Sequence, residues 1–140
     1  MSKLISVHID SIVEKLTPVF ESRKVIAGAY LFGSILELCR PDSDIDVGIL
    51  LAPDNSYSEK EAEIILEEIC LELPPLNCHP FDIIVLNSSS AIFAYRVITQ
   101  GRLIYTADAE AITDFMEKIS RQRAENYPRF RQALELIARG

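Results

Sequence analysis

Two apolar runs are joined by a short link that closes one on Gly33-Ser34 and opens the other on Asp44-Ile45-Asp46. Lys24 to Phe32, rich in Val, Ile, Ala and Tyr, reads as one strand, and Asp44 to Leu51 as the next. Only nine residues separate Ser34 from Asp44. A parallel pair needs a crossover of roughly a dozen residues or more, so these two strands are expected to run antiparallel.

The residues at this junction suit phosphate and metal chemistry. Asp44 and Asp46, two apart on a strand, leave the same face about 6–7 Å apart. Hard divalent cations such as Mg²⁺ take carboxylate oxygens together with substrate phosphates. Two such ions about 3.5–4 Å apart can activate a nucleophile and stabilise a leaving oxygen together. Gly33 has no Cβ, so a phosphate could approach its backbone. Ser34 is expected to open a short helix whose first N–H groups and dipole favour an anion, with its hydroxyl as a further donor. Each half of the pattern also has a plain reading. Pro41-Asp42-Ser43-Asp44 could simply be turn residues before a strand, and Gly-Ser after a strand is common. It is the joint occurrence that points to chemistry.

The flanking segments supply a domain around that junction. Ile5, Ile9, Ile12, Val13 and Leu16 have helical spacing, predicting a helix over 4–17 that Pro18 ends or kinks. Ser58-Glu59-Lys60-Glu61 is a capping-box sequence. The stripe Ala62, Ile65, Leu66, Ile69 and Leu73 follows it, and Leu73-Pro74-Pro75 closes the helix. This helical crossover permits a third strand, Phe81 to Leu86, to lie parallel to the second. Ser88 to Ser90 can cap a helix reaching about Thr99, Gln100-Gly101 fits its stop, and Leu103-Ile104-Tyr105 a short last strand. From Ala109 onward Phe115, Ile119, Tyr127, Phe130, Leu134 and Ile137 form a helical stripe interrupted by Pro128. That stripe either packs on the domain's own sheet or marks a partner groove or a homo-oligomer contact. The expected architecture is α/β: one domain over 1–140, a small mixed sheet flanked by helices, with 109–140 a C-terminal helical segment.

Asp82 lies in the otherwise apolar Phe81-Asp82-Ile83-Ile84-Val85-Leu86. A buried aspartate without a partner is costly, so the plain reading puts it at the strand entrance, exposed or bonded to a backbone N–H. If its strand lies beside the second, however, it can join Asp44 and Asp46. Three clustered carboxylates repel one another unless a cation neutralises them.

Composition narrows the partners. The formal net charge is −7 and no basic block occurs, which makes direct nucleic-acid binding unexpected. No run of 18 or more apolar residues exists, so no membrane span is expected. The N-terminus lacks the apolar centre and small-residue cleavage site of a signal peptide, so the expected compartment is the cytoplasm. Three cysteines, an odd number, then suggest reduced thiols. Cys78-His79 has no C-x-x-C or H-x-x-x-H companion, and His79 reads better as a surface or hydrogen-bonded residue than as a zinc ligand. Arg40 either touches phosphate or solvates its loop.

Taken together, Leu31-Phe32-Gly33-Ser34, Arg40-Pro41-Asp42-Ser43-Asp44-Ile45-Asp46-Val47, Phe81-Asp82-Ile83 and Val97-Ile98-Thr99-Gln100-Gly101 resemble the DNA polymerase β-like nucleotidyltransferases. Within them the chain is most similar to the minimal nucleotidyltransferases, the MNT antitoxins paired with HEPN-domain toxins. The resemblance covers roughly residues 20–106. It implies that Asp44 and Asp46 bind the Mg²⁺ ions of Mg-ATP, two being expected. By the same resemblance, Asp82 holds the metal that activates the incoming hydroxyl or acts as its base. Gly33 and Ser34, with Ser43, would belong to the nucleotide site. The implied reaction is attack of a hydroxyl on the α-phosphorus of ATP, transferring AMP and releasing pyrophosphate, with positioning and charge neutralisation carrying catalysis.

The chain departs from the family pattern twice. Nine residues rather than ten separate Gly-Ser from the first Asp, and Ile35-Leu36-Glu37-Leu38 stands where a second Gly is usual. Three functions therefore follow as expectations. One is adenylylation of a hydroxyl, most simply a tyrosine, on a HEPN RNase toxin. A second is neutralisation of that toxin by binding alone. The third is nucleotidylation of a small molecule, which the absence of an obvious extra substrate domain disfavours.

Overall fold

The computed structural model describes residues 5–6, 8–36, 38–39, 43–52 and 58–125. In chain order the described elements are β1 (Ile5–Ser6), α1 (Ile9–Glu21), β2 (Ile26–Phe32), β3 (Leu38–Cys39), β4 (Ile45–Leu51), α2 (Glu59–Glu72), β5 (Phe81–Val85), α3 (Ala91–Gln100), β6 (Arg102–Thr106) and α4 (Ala109–Glu125). Four strands form one mixed sheet in the order β5-β4-β2-β6, and β1 pairs separately with β3.

The short link between β2 and β4 has the consequence expected of it: the two strands are antiparallel neighbours at the centre of the sheet. The α2 crossover lets β5 return parallel to β4. β6 closes the other edge, antiparallel to β2. Side chains of β4 alternate cleanly. Ile45, Val47, Ile49 and Leu51 join Ile12, Leu16 and Phe20 of α1 and Ile69 of α2 in one buried cluster. Leu50 joins Ala94 and Val97 of α3 and Ile112, Phe115 and Ile119 of α4 in the other. The sheet is thus sandwiched between two helical layers, and each face buries its own core.

Local signals explain most element boundaries. Ser58 caps α2, its hydroxyl accepting from the Glu61 amide at 3.2 Å. Ser90 caps α3 by accepting from the Phe93 amide, and Asp108 caps α4 by accepting from the Ala111 amide. α3 stops at Gly101 as expected, yet that glycine is extended (φ −79°, ψ 179°) rather than left-handed.

The N-terminal helix differs from the expectation. It begins at Ile9 rather than residue 4, because Ile5–Ser6 is drawn into a strand with β3. It also runs through Pro18 to Glu21. Proline removes one intrahelical donor. Here the Thr17 hydroxyl donates to the Val13 carbonyl at 2.7 Å one turn back. Phe20, fully buried and 5.4 Å from the Tyr105 ring, anchors the turn beyond. Burial of that one aromatic, on the order of 2–3 kcal/mol, offsets much of the proline penalty.

The visible part of the C-terminal stripe is also decided. Phe115 and Ile119 pack on the domain's own sheet through α3 and β2. Tyr127, Pro128, Phe130, Leu134 and Ile137 lie outside the described residues, as do Arg40, Pro41 and Asp42.

Candidate active site at one end of the sheet

Strand directions decide where the acidic residues meet. β4 and β5 both begin at the end of the sheet where β2 finishes. The register there aligns Phe32 with Asp46 across β2–β4, and Asp46 with Asp82 across β4–β5. Phe32, Asp46 and Asp82 therefore form one row across three strands, with Gly33 and Ser34 directly following the first. Adjacent parallel strands lie about 4.8 Å apart, so residues in register on one face are in contact range. Asp46 is half-buried; Asp82 and Asp44 are exposed beside it.

The electrostatics record the crowding. Asp46 is pushed up from 3.8 to about 6, first by burial, then by the charges of Asp82 and Asp44, and by a side-chain hydrogen bond with Asp82. A hydrogen bond between two carboxyl groups needs a proton between them. Without a cation, Asp46 holds its proton more tightly than an isolated aspartate would.

Gly33 is required here on two counts. Its φ is +82°, in the left-handed region, and a Cβ added to it would run into Asp46 Oδ2. The Gly-Ser turn and the first acidic strand are therefore built as one unit. The segment after Gly33, expected as a short helix or turn, is the shortest form of either. It is a single 3-10 turn, Ser34–Leu36, held by the Leu36 amide donating to the Gly33 carbonyl at 3.3 Å. Buried Ile35 pins it. So short a turn has almost no macrodipole, and what it offers an anion is local N–H and hydroxyl donors.

A cleft of about 560 Å³ opens at this end, lined by Gly33, Ser34, Leu36 and Asp46 on the sheet side. Phe93, Arg96, Val97 and Gln100 of α3 form its other wall. Their spacing of three and four residues puts them on one face of the helix. Phe32 and Phe93 meet edge to face, centroids 5.6 Å apart. These α3 residues were not singled out as site residues from sequence. The available signal was that Arg96 is the one charged side chain in Ala91–Gln100.

Ser43 does not line this cleft. Its carbonyl accepts a 2.8 Å hydrogen bond from Nδ1 of His79, which fixes the proton on that nitrogen. His79 is 2 % exposed, not a surface residue. It closes a tight turn in which Leu76 and His79 exchange both backbone hydrogen bonds at 2.9 Å. The central residues Asn77 and Cys78 both have positive φ (49° and 71°), the geometry of a two-residue hairpin turn. The Ile45 amide donates to Pro80 O at 2.8 Å. Residues 76–80 thus clamp the chain on both sides of Asp44. Asn77 at the turn was the readable signal for this clamp.

Among the described residues no three His, Cys, Asp or Glu side chains are gathered tightly enough to hold a metal ion by themselves. The donor set is nevertheless of the right kind. Mg²⁺ commonly takes one or two carboxylates and completes its shell with waters and substrate phosphates. Asp46 with Asp82, and Asp44 at the margin, offer hard oxygens only. The raised Asp46 value reflects burial first and the neighbouring carboxylates second, and a cation bound there would offset both. The residues fit a metal that arrives on a nucleotide.

Comparison with known proteins gives the family and the fold. The family described as polymerase beta, nucleotidyltransferase matches residues 14–110. No curated protein matches the chain significantly. Among solved structures, a toxin–antitoxin complex with AMP-PNP is similar at 18 % identity and a TM-score of 0.59, over 87 % of this chain and 98 % of that one. A tri-AMPylated Shewanella oneidensis HEPN toxin in complex with its MNT antitoxin is similar at 19 % identity and a TM-score of 0.53, over 89 % and 94 %. At such identities the likeness is one of fold.

Proposed function

The chain belongs to the polymerase β-type nucleotidyltransferase family, and from that premise we propose that it is an MNT-type antitoxin that transfers AMP from ATP to a tyrosine hydroxyl of a HEPN-domain RNase toxin. The observation that carries this reading is the row Phe32–Asp46–Asp82, with the Gly33 turn built against Asp46. Two neighbours in fold support it, one solved with AMP-PNP and one whose toxin is tri-AMPylated. An acidic chain of net charge −7 is also better suited to a protein acceptor than to a nucleic acid.

In this reading Asp44, Asp46 and Asp82 would hold the Mg²⁺ ions, two being expected, and the ions would supply neutralisation of phosphate charge and activation of the acceptor hydroxyl. The turn at Gly33 and Ser34 holds the pyrophosphate end of ATP. Asp82, the exposed member of the row, faces the incoming hydroxyl and takes its proton. A bond forms between the tyrosine oxygen and the α-phosphorus. The bond from the α-phosphorus to the bridging oxygen breaks, and pyrophosphate leaves with the electron pair. Docking of the toxin converts a bimolecular encounter into a positioned one. The pair would work in the cytoplasm; no described helix is long and apolar enough to cross a membrane.

A second reading, neutralisation by binding alone, is favoured by one observation. Leu36 lines the cleft close to where the family usually has a second glycine, and its side chain takes up room there. One experiment separates the two. The protein is mixed with a HEPN-domain RNase, ATP and Mg²⁺, and the RNase is followed by intact-mass spectrometry and activity assay. Added AMP units with a parallel fall in RNase activity are expected. Neutralisation without a mass change, equally good with Asp44→Asn protein, would replace the enzymatic reading by the binding one.

A further inference from the structure

Arg96 stands in the wall of the cleft opposite the Gly33-Ser34 turn. It is exposed, and among the described residues it forms no ion pair; those found there belong to Arg23. We infer that Arg96, with Gln100 one turn further along α3, is the phosphate-reading element of the nucleotide cleft and makes it select triphosphates over monophosphates. The inference rests on the nucleotidyltransferase reading above and assigns part of the same site.

Placement comes first. Val97, 2 % exposed, plugs α3 into the core and fixes its rotation. The next turn is pressed against the end of β2: a Cβ on Gly101 would meet the Leu31 carbonyl oxygen and the Phe32 Cβ at 3.0 and 3.4 Å. Phe32 directly precedes Gly33. Arg96 and Gln100 are therefore held at the mouth of the Gly-Ser turn by backbone contact rather than by a flexible loop.

Charge comes second. The described lining of the cleft holds one carboxylate, Asp46, and one cation, Arg96. The C-terminal carbonyls of α3 end beside it and add partial negative charge. The turn Ser34–Leu36 is too short to supply a compensating dipole. A triphosphate entering here has Arg96 as its one fixed cationic partner in that lining. A guanidinium offers a planar fork matching two phosphate oxygens, and Gln100 adds neutral donors. The edge-to-face pair Phe32–Phe93 leaves the rest of the wall apolar. The fork thus marks where the terminal phosphates lie, and a monophosphate does not reach it.

Titration calorimetry with Mg²⁺ and ATP, ADP or AMP tests this on the full chain. Arg96→Ala is expected to weaken ATP by about tenfold or more, the scale of a charged hydrogen bond, and AMP by less than about twofold. Arg96→Lys should recover part of the ATP affinity, and inorganic pyrophosphate should compete with ATP less well in the alanine protein. Circular dichroism checks that the exposed substitution leaves the fold intact. Equal ATP affinity in parent and Arg96→Ala overturns the inference, as does an equal loss for ATP and AMP. ATP binding without transfer would sink the enzymatic reading alone, and absence of nucleotide binding in the parent would sink both.

Discussion

At the scale of single residues, Asp46 shows how a site stores instability. Its value of about 6 in the folded protein stands above 3.8 for the free side chain. A group whose pKa is raised on folding favours the folded state fully below its unfolded value, and that contribution is lost as pH rises through the folded one. Metal-free protein should therefore gain stability as pH falls from about 7 toward 4, as far as this group decides. Asp46→Asn removes the charge and keeps the shape. Its melting temperature at pH 7–8 without metal is expected to exceed the parent's, with the gap closing toward pH 4–5. Nucleotidyl transfer should fall at least about a hundredfold, the scale seen when one charge-stabilising group is removed from an active site. A variant no more stable than the parent at pH 8 would mean that folding does not disfavour the Asp46 charge.

The informative element is the turn 76–80, which the sequence shows only as Asn-Cys-His-Pro before a strand. Its role depends on a partner distant in sequence. Nδ1 of His79 reaches the Ser43 carbonyl across 36 positions. Losing one hydrogen bond at this part-buried carbonyl costs about 0.5–1.5 kcal/mol. His79→Phe keeps the ring and removes the donor, so its unfolding free energy in urea should drop by about that amount. Transfer activity should fall as well, because the chain around Asp44 loses one of its two clamps. Unchanged stability would show that the ring contributes only volume. α2 illustrates the opposite case. Its capping box, its stripe and its Pro-Pro stop are all local, and its start at Glu59 and end at Glu72 follow from them.

For the whole molecule, the question is whether α4 belongs to the fold or to a partner. Ile112, Phe115 and Ile119 are buried against α3 and the sheet. Phe115→Ala should therefore cost about 3–5 kcal/mol of stability, as for other buried aromatics. Chemical denaturation of the isolated protein measures it. A loss below about 1 kcal/mol would mean that this face of α4 is free to serve a partner.

The sequence by itself determined the four strands of the main sheet, their polarity and the helices between them, but not the β1–β3 pair or the bounds of α1. The gap of nine residues favoured β2 and β4 antiparallel, the α2 crossover permitted β5 to lie parallel, the turn and capping residues placed α2 and α3 within a residue or two, and the apolar stripe started α4 at Ala109. These are short-range effects of chain length, dihedral preference and orphan N–H groups, and they can be read locally. Tertiary structure decided what meets what. Alternation says that Asp44 and Asp46 share a face, but only the β4–β5 register sets Asp46 beside Asp82. Helical spacing groups Phe93, Arg96 and Gln100, but only the packing of Val97 turns them toward Gly33. Pro18 reads as a helix stop until Phe20 is seen buried behind it. Register and packing sum many weak contacts between segments far apart in the chain, and no local window of sequence contains that sum.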